Sequence, residues 1–313
     1  MVIWSHPKSQ TLFTDNYLKI LICEIPIMDW YVGTEWVDKN RGLAKKAISL
    51  QFTEMVKPTT ISTVEFSVNK KAANLGGRPS KYLASDESAT YPQKHILEMG
   101  TSLTAVDCYL ELLLQQFVPG ETAACSITAK SGERIEIELK LEKIVKNTQV
   151  EKLSAAEIYE VALRLKESGV GTFKAFPKFA FDYFVRAAKL LITYKPFDKL
   201  TKNTNGINGQ AVETLFIQIE TNLAACLLQE KRYEHVIYHT QFVETEESPS
   251  EKSIYRRALA YYHLKEFAKA QATIERLPNY EEKREFSKLR DNIASSWKDS
   301  KAHYKEVVQR MFS

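Results

Sequence analysis

Lys166, Asn222, Lys252 and Arg256 are the residues of this chain whose types and spacing could act together. Ammonium and guanidinium groups make charge-assisted hydrogen bonds to carboxylates, and an amide adds a neutral donor to the same oxygens. Lys252 and Arg256 stand four residues apart, so a helix carries both on one face. Such a set would hold an anionic peptide rather than transform a substrate. The rival constellations are poorer. His235 and His239 have the i, i+4 spacing of metal ligands, but Val-Ile-Tyr between them lacks the metalloprotease glutamate and no third ligand is evident. A packed or exposed pair is expected there, and no metal site. Cys23, Cys108, Cys125 and Cys226 form no CxxC and read as structural thiols in a reducing compartment. Gly76-Gly77 lacks the Lys-Ser/Thr of a phosphate loop, and no nucleophile elbow is present. No cofactor is expected.

The elements that must position the four residues have two different periods. A length of 313 residues predicts two domains, with a border near 147–153: residues 1–148 of α+β type, residues 151–313 all-α. In the first, Ala123, Cys125, Ile127 and Ala129 alternate with polar or small neighbours. After a turn at Lys130-Ser131-Gly132, Ile135, Ile137, Leu139 and Leu141 alternate with Glu136, Glu138 and Lys140, which makes a hairpin with one wet face. Leu103, Val106, Leu110, Leu113, Leu114 and Phe117 recur at helical spacing, and Pro119-Gly120 ends that helix. Further strands are expected at 17–28, 47–53 and 61–68, with loop around Asn74 to Thr90.

The second domain reads as seven helices, broken at Pro177, in the polar stretch Lys195 to Gly209, at Ser248-Pro249 and at Pro278-Asn279. Asn222 and Arg256 are 34 residues apart, as are Tyr233 and Phe267, with small residues Ala224, Ala258 and Ala270 where paired helices would touch. That is the signature of tetratricopeptide repeats. A looser unit precedes them at Gly169, Phe173, Lys174, Ala180, Phe184 and Ala187, with its turn near Pro177 one residue off the pattern. Tyr280 to Phe312 would be the capping helix. Stacking then sets Asn222 and Arg256 along one concave groove, with Lys252 a turn before Arg256, and Lys166, just ahead of Gly169, joining them.

Charge supports a peptide groove and little else. Residues 151–313 carry 26 Lys+Arg against 22 Asp+Glu, while residues 1–150 carry 17 of each, so the whole net charge of +4 lies in the second half. This is too weak for a nucleic-acid surface. No stretch approaches eighteen uninterrupted apolar residues and the first residues lack a leader pattern, so neither a membrane nor an export signal is expected. A cytoplasmic monomer is the expectation, with the nucleus also open to it.

Asn222-Leu-Ala-Ala-Cys226, Glu251-Lys252 followed by Tyr255-Arg256-Arg257, and the terminal Met311-Phe312 resemble the large immunophilins, in which an FKBP-type domain precedes three tetratricopeptide repeats. The resemblance implies a carboxylate clamp for the Met-Glu-Glu-Val-Asp tail of the ninety-kilodalton heat-shock chaperone. In it Lys166 and Asn222 would hold the terminal carboxylate, Lys252 the side chain of the final Asp, and Arg256 the peptide backbone or an upstream acidic side chain. The fifth clamp position, usually Asn or Thr, is Val170 here, a loss of one hydrogen bond worth about 0.5–1.5 kcal/mol.

The first half resembles the FKBP fold through Ile96-Leu-Glu-Met-Gly100, Ala105-Val106, Phe117-Val-Pro-Gly120-Glu121-Thr-Ala123 and Glu133 to Leu139. Where an active member has a Trp at the start of the helix, this chain offers Cys108, Tyr109 and Leu110. Only three residues separate Ala129 from Glu133, where the family has a long flap, and Asp86 lacks its aromatic neighbour. The combination is similar to the divergent FKBP-like co-chaperones of animals and implies a non-catalytic adaptor for a client protein. A scaffold of the germline small-RNA (piRNA) pathway and an active peptidyl-prolyl isomerase are the alternatives.

Overall fold

The computed structural model describes residues 31–312 except 53, 84–88, 130 and 148. The strand expected at 17–28, Cys23 and Asp86 lie outside the described residues.

Six antiparallel strands, β1 (Glu35–Asp38), β2 (Leu43–Leu50), β3 (Thr63–Val68), β4 (Gln93–Glu98), β5 (Glu121–Thr128) and β6 (Arg134–Lys146), form one sheet in the order β1-β2-β5-β6-β3-β4. The period-two pattern sets its register: Ala123 faces Leu139, Cys125 faces Ile137 and Ile127 faces Ile135, all buried on the face that α1 (Ala105–Leu114) covers with Val106, Leu110, Leu113 and Leu114. The tight turn closes with the Ala129 N–H donating to the Glu133 carbonyl at 2.8 Å. Thr104 caps α1 through its hydroxyl oxygen, which accepts the Asp107 N–H. Gly120 has a left-handed φ of +84°, and a Cβ there would stand 1.8 Å from the Gln51 carbonyl oxygen, so only glycine fits. The strand expected at 47–53 is shifted to Leu43–Leu50, and β1 was not expected, because its four residues carry no long alternation.

The helices are α2 (Ala155–Phe173), α3 (Pro177–Ile192), the single turn α4 (Lys202–Asn205), α5 (Gly209–Gln229), α6 (Tyr233–His239), α7 (Glu251–His263), α8 (Phe267–Ile274) and α9 (Arg284–Phe312). A capping box between Ser154 and Glu157 starts α2, and Pro177, expected as a break, is the first residue of α3, where its missing N–H costs nothing. The 34-residue period is also a backbone period. Lys231 and Lys265 are both left-handed (φ 59° and 61°), and the Arg232 N–H donates to Leu227 O as the Glu266 N–H donates to Tyr261 O. The first pair, α2–α3, turns through the Phe176 N–H to Thr172 O without a left-handed residue, which explains its displaced pattern. There Gly169 lets the helices close: a Cβ would lie 2.5 Å from the Phe184 ring. Phe286, Leu289 and Ile293 of α9 cap the last repeat, with Phe286 edge-on to Tyr255 at 5.4 Å. The helix starts at Arg284, after a 3-10 turn at Tyr280–Glu282.

The two halves are joined by a buried polar knot. Glu111 of α1 accepts the N–H groups of Gly100, Thr101 and Ser102 at 2.8, 3.2 and 2.9 Å, and Arg186 of α3 stands 3.8 Å from Oε2, the oxygen that takes the Gly100 N–H. Tyr183 donates to Ser102 O at 2.8 Å, Arg186 donates to Thr60 O, and Tyr109 meets Phe179 edge-on at 5.0 Å. Ile61 and Cys108 belong to the same apolar cluster as Leu165 and Phe184.

Candidate functional site

Three first helices, α2, α5 and α7, carry the expected clamp residues, and two hydrogen bonds tie those helices together at the level of the site. Lys166 on α2 donates to Gln218 Oε1 on α5 at 3.1 Å. One turn further along α5 is Asn222, half-buried. Beside it, the Thr221 carbonyl accepts Nη1 of Arg256 from α7 at 2.5 Å. Lys252, itself exposed, stands one turn before Arg256 in the first turn of α7, which Ser250 caps. The two hydrogen bonds draw Lys166 and Arg256 onto one strip of α5 in which Asn222 stands by its position, and Lys252 lies one turn before Arg256 on α7.

Arg256 is not the free cation the sequence suggested. Burial holds its guanidinium below the usual arginine range, and one of its donors is committed to a helix carbonyl. An arginine keeps its charge at neutral pH even so. Val170, 57% exposed, lies one turn beyond Lys166 and gives that end of the strip an apolar contact where an amide or hydroxyl was the family pattern. Gln218 and Thr221 escaped the sequence reading. Gln218 sits four residues before Asn222, on the same helix face, and that spacing was the available signal. Thr221 acts through its main chain, which side-chain patterns do not reveal.

In the sheet domain, three rings form a packed cluster. Phe66, Tyr82 and His95 touch each other with ring centroids 5.5–5.6 Å apart, and Phe66 and Tyr82 are buried. Burial pushes the Tyr82 phenol up to about 12 and the His95 imidazole down. Cys108, Tyr109 and Leu110, at the position of the missing Trp, serve the core and the joint to α3. Cys108 Sγ lies 3.5 Å from the Tyr183 hydroxyl, and burial pushes its thiol up to about 12, far from nucleophilic use. Cys125 and Cys226 are likewise buried and raised. His239 pairs with Glu220 at 2.7 Å while His235 is exposed, and among the described residues no three metal-binding side chains cluster.

Two family models match the chain. One, described as BDBT FKBP like N-terminal, covers residues 36–146, and the other, Bride of doubletime-like, TPR domain, covers 154–238. Protein Bride of doubletime of Drosophila melanogaster is 94% identical over 286 residues, spanning 91% of this chain and 100% of the relative. The chain belongs to the Bride of doubletime family. A crystal structure of residues 1–211 of CG17282 superposes with a TM-score of 0.62 at 92% identity, covering 67% of this chain and 100% of that one. The family models agree with the observed architecture, an FKBP-like antiparallel sheet with one helix followed by tetratricopeptide helices. In this family the first domain is a divergent immunophilin-like module, and the helical repeats that follow are of a type that mediates protein–protein contacts.

Proposed function

We propose that the chain is a non-catalytic, co-chaperone-like adaptor whose repeat groove holds the acidic C-terminal tail of the ninety-kilodalton heat-shock chaperone. The observation that carries this reading is the strip Lys166–Gln218, Asn222, Thr221–Arg256, with Lys252 at its edge. Lys166 and Asn222 would take the terminal carboxylate, Lys252 the final Asp side chain, and the remaining Arg256 donors the peptide backbone or an upstream carboxylate. The FKBP-like domain would present a client rather than isomerise proline. Rotamase action relies on drawing the proline amide out of water into an aromatic cup. In support, Phe66 packs against Tyr82, and Cys108 and Tyr109, where an active member would carry its Trp, are engaged by α3.

The test is fluorescence anisotropy of a labelled Met-Glu-Glu-Val-Asp peptide beside its C-terminal amide. Amidation removes one charge and its charge-assisted hydrogen bonds, so about a tenfold weaker Kd is expected. Equal binding of the two forms ends the reading.

A second reading comes from the relative. Its name pairs it with a protein called Doubletime, and identity of 94% makes that protein the candidate client. Co-precipitation with the Arg256→Ala chain distinguishes two docking modes: retained Doubletime binds outside the groove, lost Doubletime binds within it.

A further inference from the structure

Helix α9 outruns the repeats it caps. Phe286, Leu289 and Ile293 are buried in the cluster formed with α7 and α8, and Trp297 is half-buried at its edge. From Lys298 to Phe312 no residue is buried, so about four turns stand clear of the rest of the chain. The apolar spacing does not stop there. Tyr304, Val308 and Met311 continue the stripe of Phe286, Leu289, Ile293 and Trp297 at helical intervals, and Tyr304 and Met311 are 72% and 74% exposed. A helical segment of this length draws its stability from packing such a face rather than from propensity.

Where the stripe leaves the repeats, α9 and the turn between α7 and α8 border a cleft of about 410 Å³. Phe267, Trp297 and Tyr304 wall it, and Lys265, Glu266 and Lys301 line it, with the Lys301 ammonium 4.3 Å from the centre of the Trp297 ring. Charge on the projecting turns is sorted by side. At about 100° per residue, Lys298, Lys301 and Lys305 form a row along one flank of the stripe, and Asp299 and Glu306 fall on the opposite face. Glu306 is taken by Arg310, and Glu266 by Lys269. Lys265 and the three lysines of the row form no ion pair among the described residues.

We propose that the corner between α9 and the α7–α8 turn is the docking site of an acidic amphipathic helix from a partner protein. Its apolar ridge lies along Tyr304, Val308 and Met311, one apolar side chain enters the cleft, and its carboxylates meet Lys265, Lys298, Lys301 and Lys305. None of these residues belongs to the strip on α5, so the site stands apart from the clamp. Charge and shape select this occupant. A second copy of α9 would bring the lysine row against a cationic flank in either orientation, since His303 and Arg310 line the other side of the stripe. A flat lipid surface is obstructed, because the exposed stripe is continuous with the one that faces the repeats, and the repeats therefore stand on the same side of α9 as its apolar residues. A helix lies in such a corner with its axis about 8–10 Å from that of α9.

The probes are two synthetic helices with the same leucine ridge, one flanked by Glu and the other by Lys, titrated against the full chain by fluorescence anisotropy. The Glu helix should bind about tenfold tighter than the Lys helix, and Lys301→Glu with Lys305→Glu should reverse that order. Tyr304→Ala with Met311→Ala should weaken the Glu helix about tenfold. All four positions are exposed, so the far-UV circular dichroism and unfolding midpoint of the variants should match those of the unaltered chain. Equal binding of the two helices, or an order that the lysine reversal leaves unchanged, overturns the proposal. Dimerisation in light scattering that Tyr304→Ala with Met311→Ala abolishes would give the face to a second copy. Co-sedimentation with phosphatidylserine vesicles that the same variant loses would give it to a membrane. Either of these results also overturns the proposal.

Discussion

Glu111→Ala should destabilise the chain by about 3–5 kcal/mol and free the sheet domain from the repeats. The carboxylate of Glu111 satisfies three consecutive N–H groups, those of Gly100, Thr101 and Ser102, and Arg186 faces it at 3.8 Å. Hydrogen bonds to a charged group are each worth about 1.5–3 kcal/mol, and they do not add in full when they share one acceptor. Without Glu111 the three amides lose their acceptor, and the guanidinium of Arg186, whose side chain is 13% exposed, loses its counter-charge and keeps only Thr60 O. Denaturant unfolding measures the loss, and limited proteolysis shows whether the segment joining the domains has opened. A cost below about 1 kcal/mol would mean that the apolar contacts, Tyr109 on Phe179 and Gly100 against Leu165, hold the joint alone.

The second large effect is expected inside the sheet. Lys45 and Glu121 form an ion pair at 2.5 Å with side chains 3% and 0% exposed, and Lys45 also donates to the Gln116 carbonyl and lies over the Phe117 ring. Burial pulls the Lys45 ammonium below its ordinary range, and the Glu121 carboxylate opposes that pull. Glu121 also accepts the Val118 N–H, fixing the turn into β5. Removing one partner of such a pair costs about 3–5 kcal/mol, whereas replacing both with apolar residues is close to neutral. Glu121→Gln should therefore lower the unfolding midpoint sharply, and Lys45→Met with Glu121→Leu should recover most of it. Equal loss in the single and double variants would assign the effect to packing instead of charge.

Both of these knots were invisible in the sequence, and the reason is physical. Glu111 lies in a run of leucines, where a helical pattern assigns it to a polar face. Its actual role depends on a loop and on a helix 75 residues later. Lys45 and Glu121 are 76 positions apart, and nothing local marks either as buried. The repeats were legible because stacking forces the same small residues and the same turn at each period: Ala224 and Ala258, Tyr233 and Phe267, and the left-handed Lys231 and Lys265 all recur at 34. The hairpin β5–β6 was legible because one face alternates without interruption, while β1 is too short to show any period. Of the candidate site, the residue types and their common groove followed from the period. The way they are held did not, because Gln218 enters through its side chain from an unremarked turn and Thr221 through its carbonyl.

Whether Lys166 holds a free carboxylate in the groove is decided by a double-mutant cycle. Binding of Met-Glu-Glu-Val-Asp is measured by calorimetry for the unaltered chain and for Lys166→Ala, with the free acid and with the amide. Removing either the lysine charge or the peptide charge should weaken binding by about tenfold, and removing both should cost little more than removing one, a coupling of roughly 1 kcal/mol or more. Strict additivity of the two changes, with Lys166→Ala penalising the amide as much as the acid, would mean that Lys166 does not engage the terminal carboxylate.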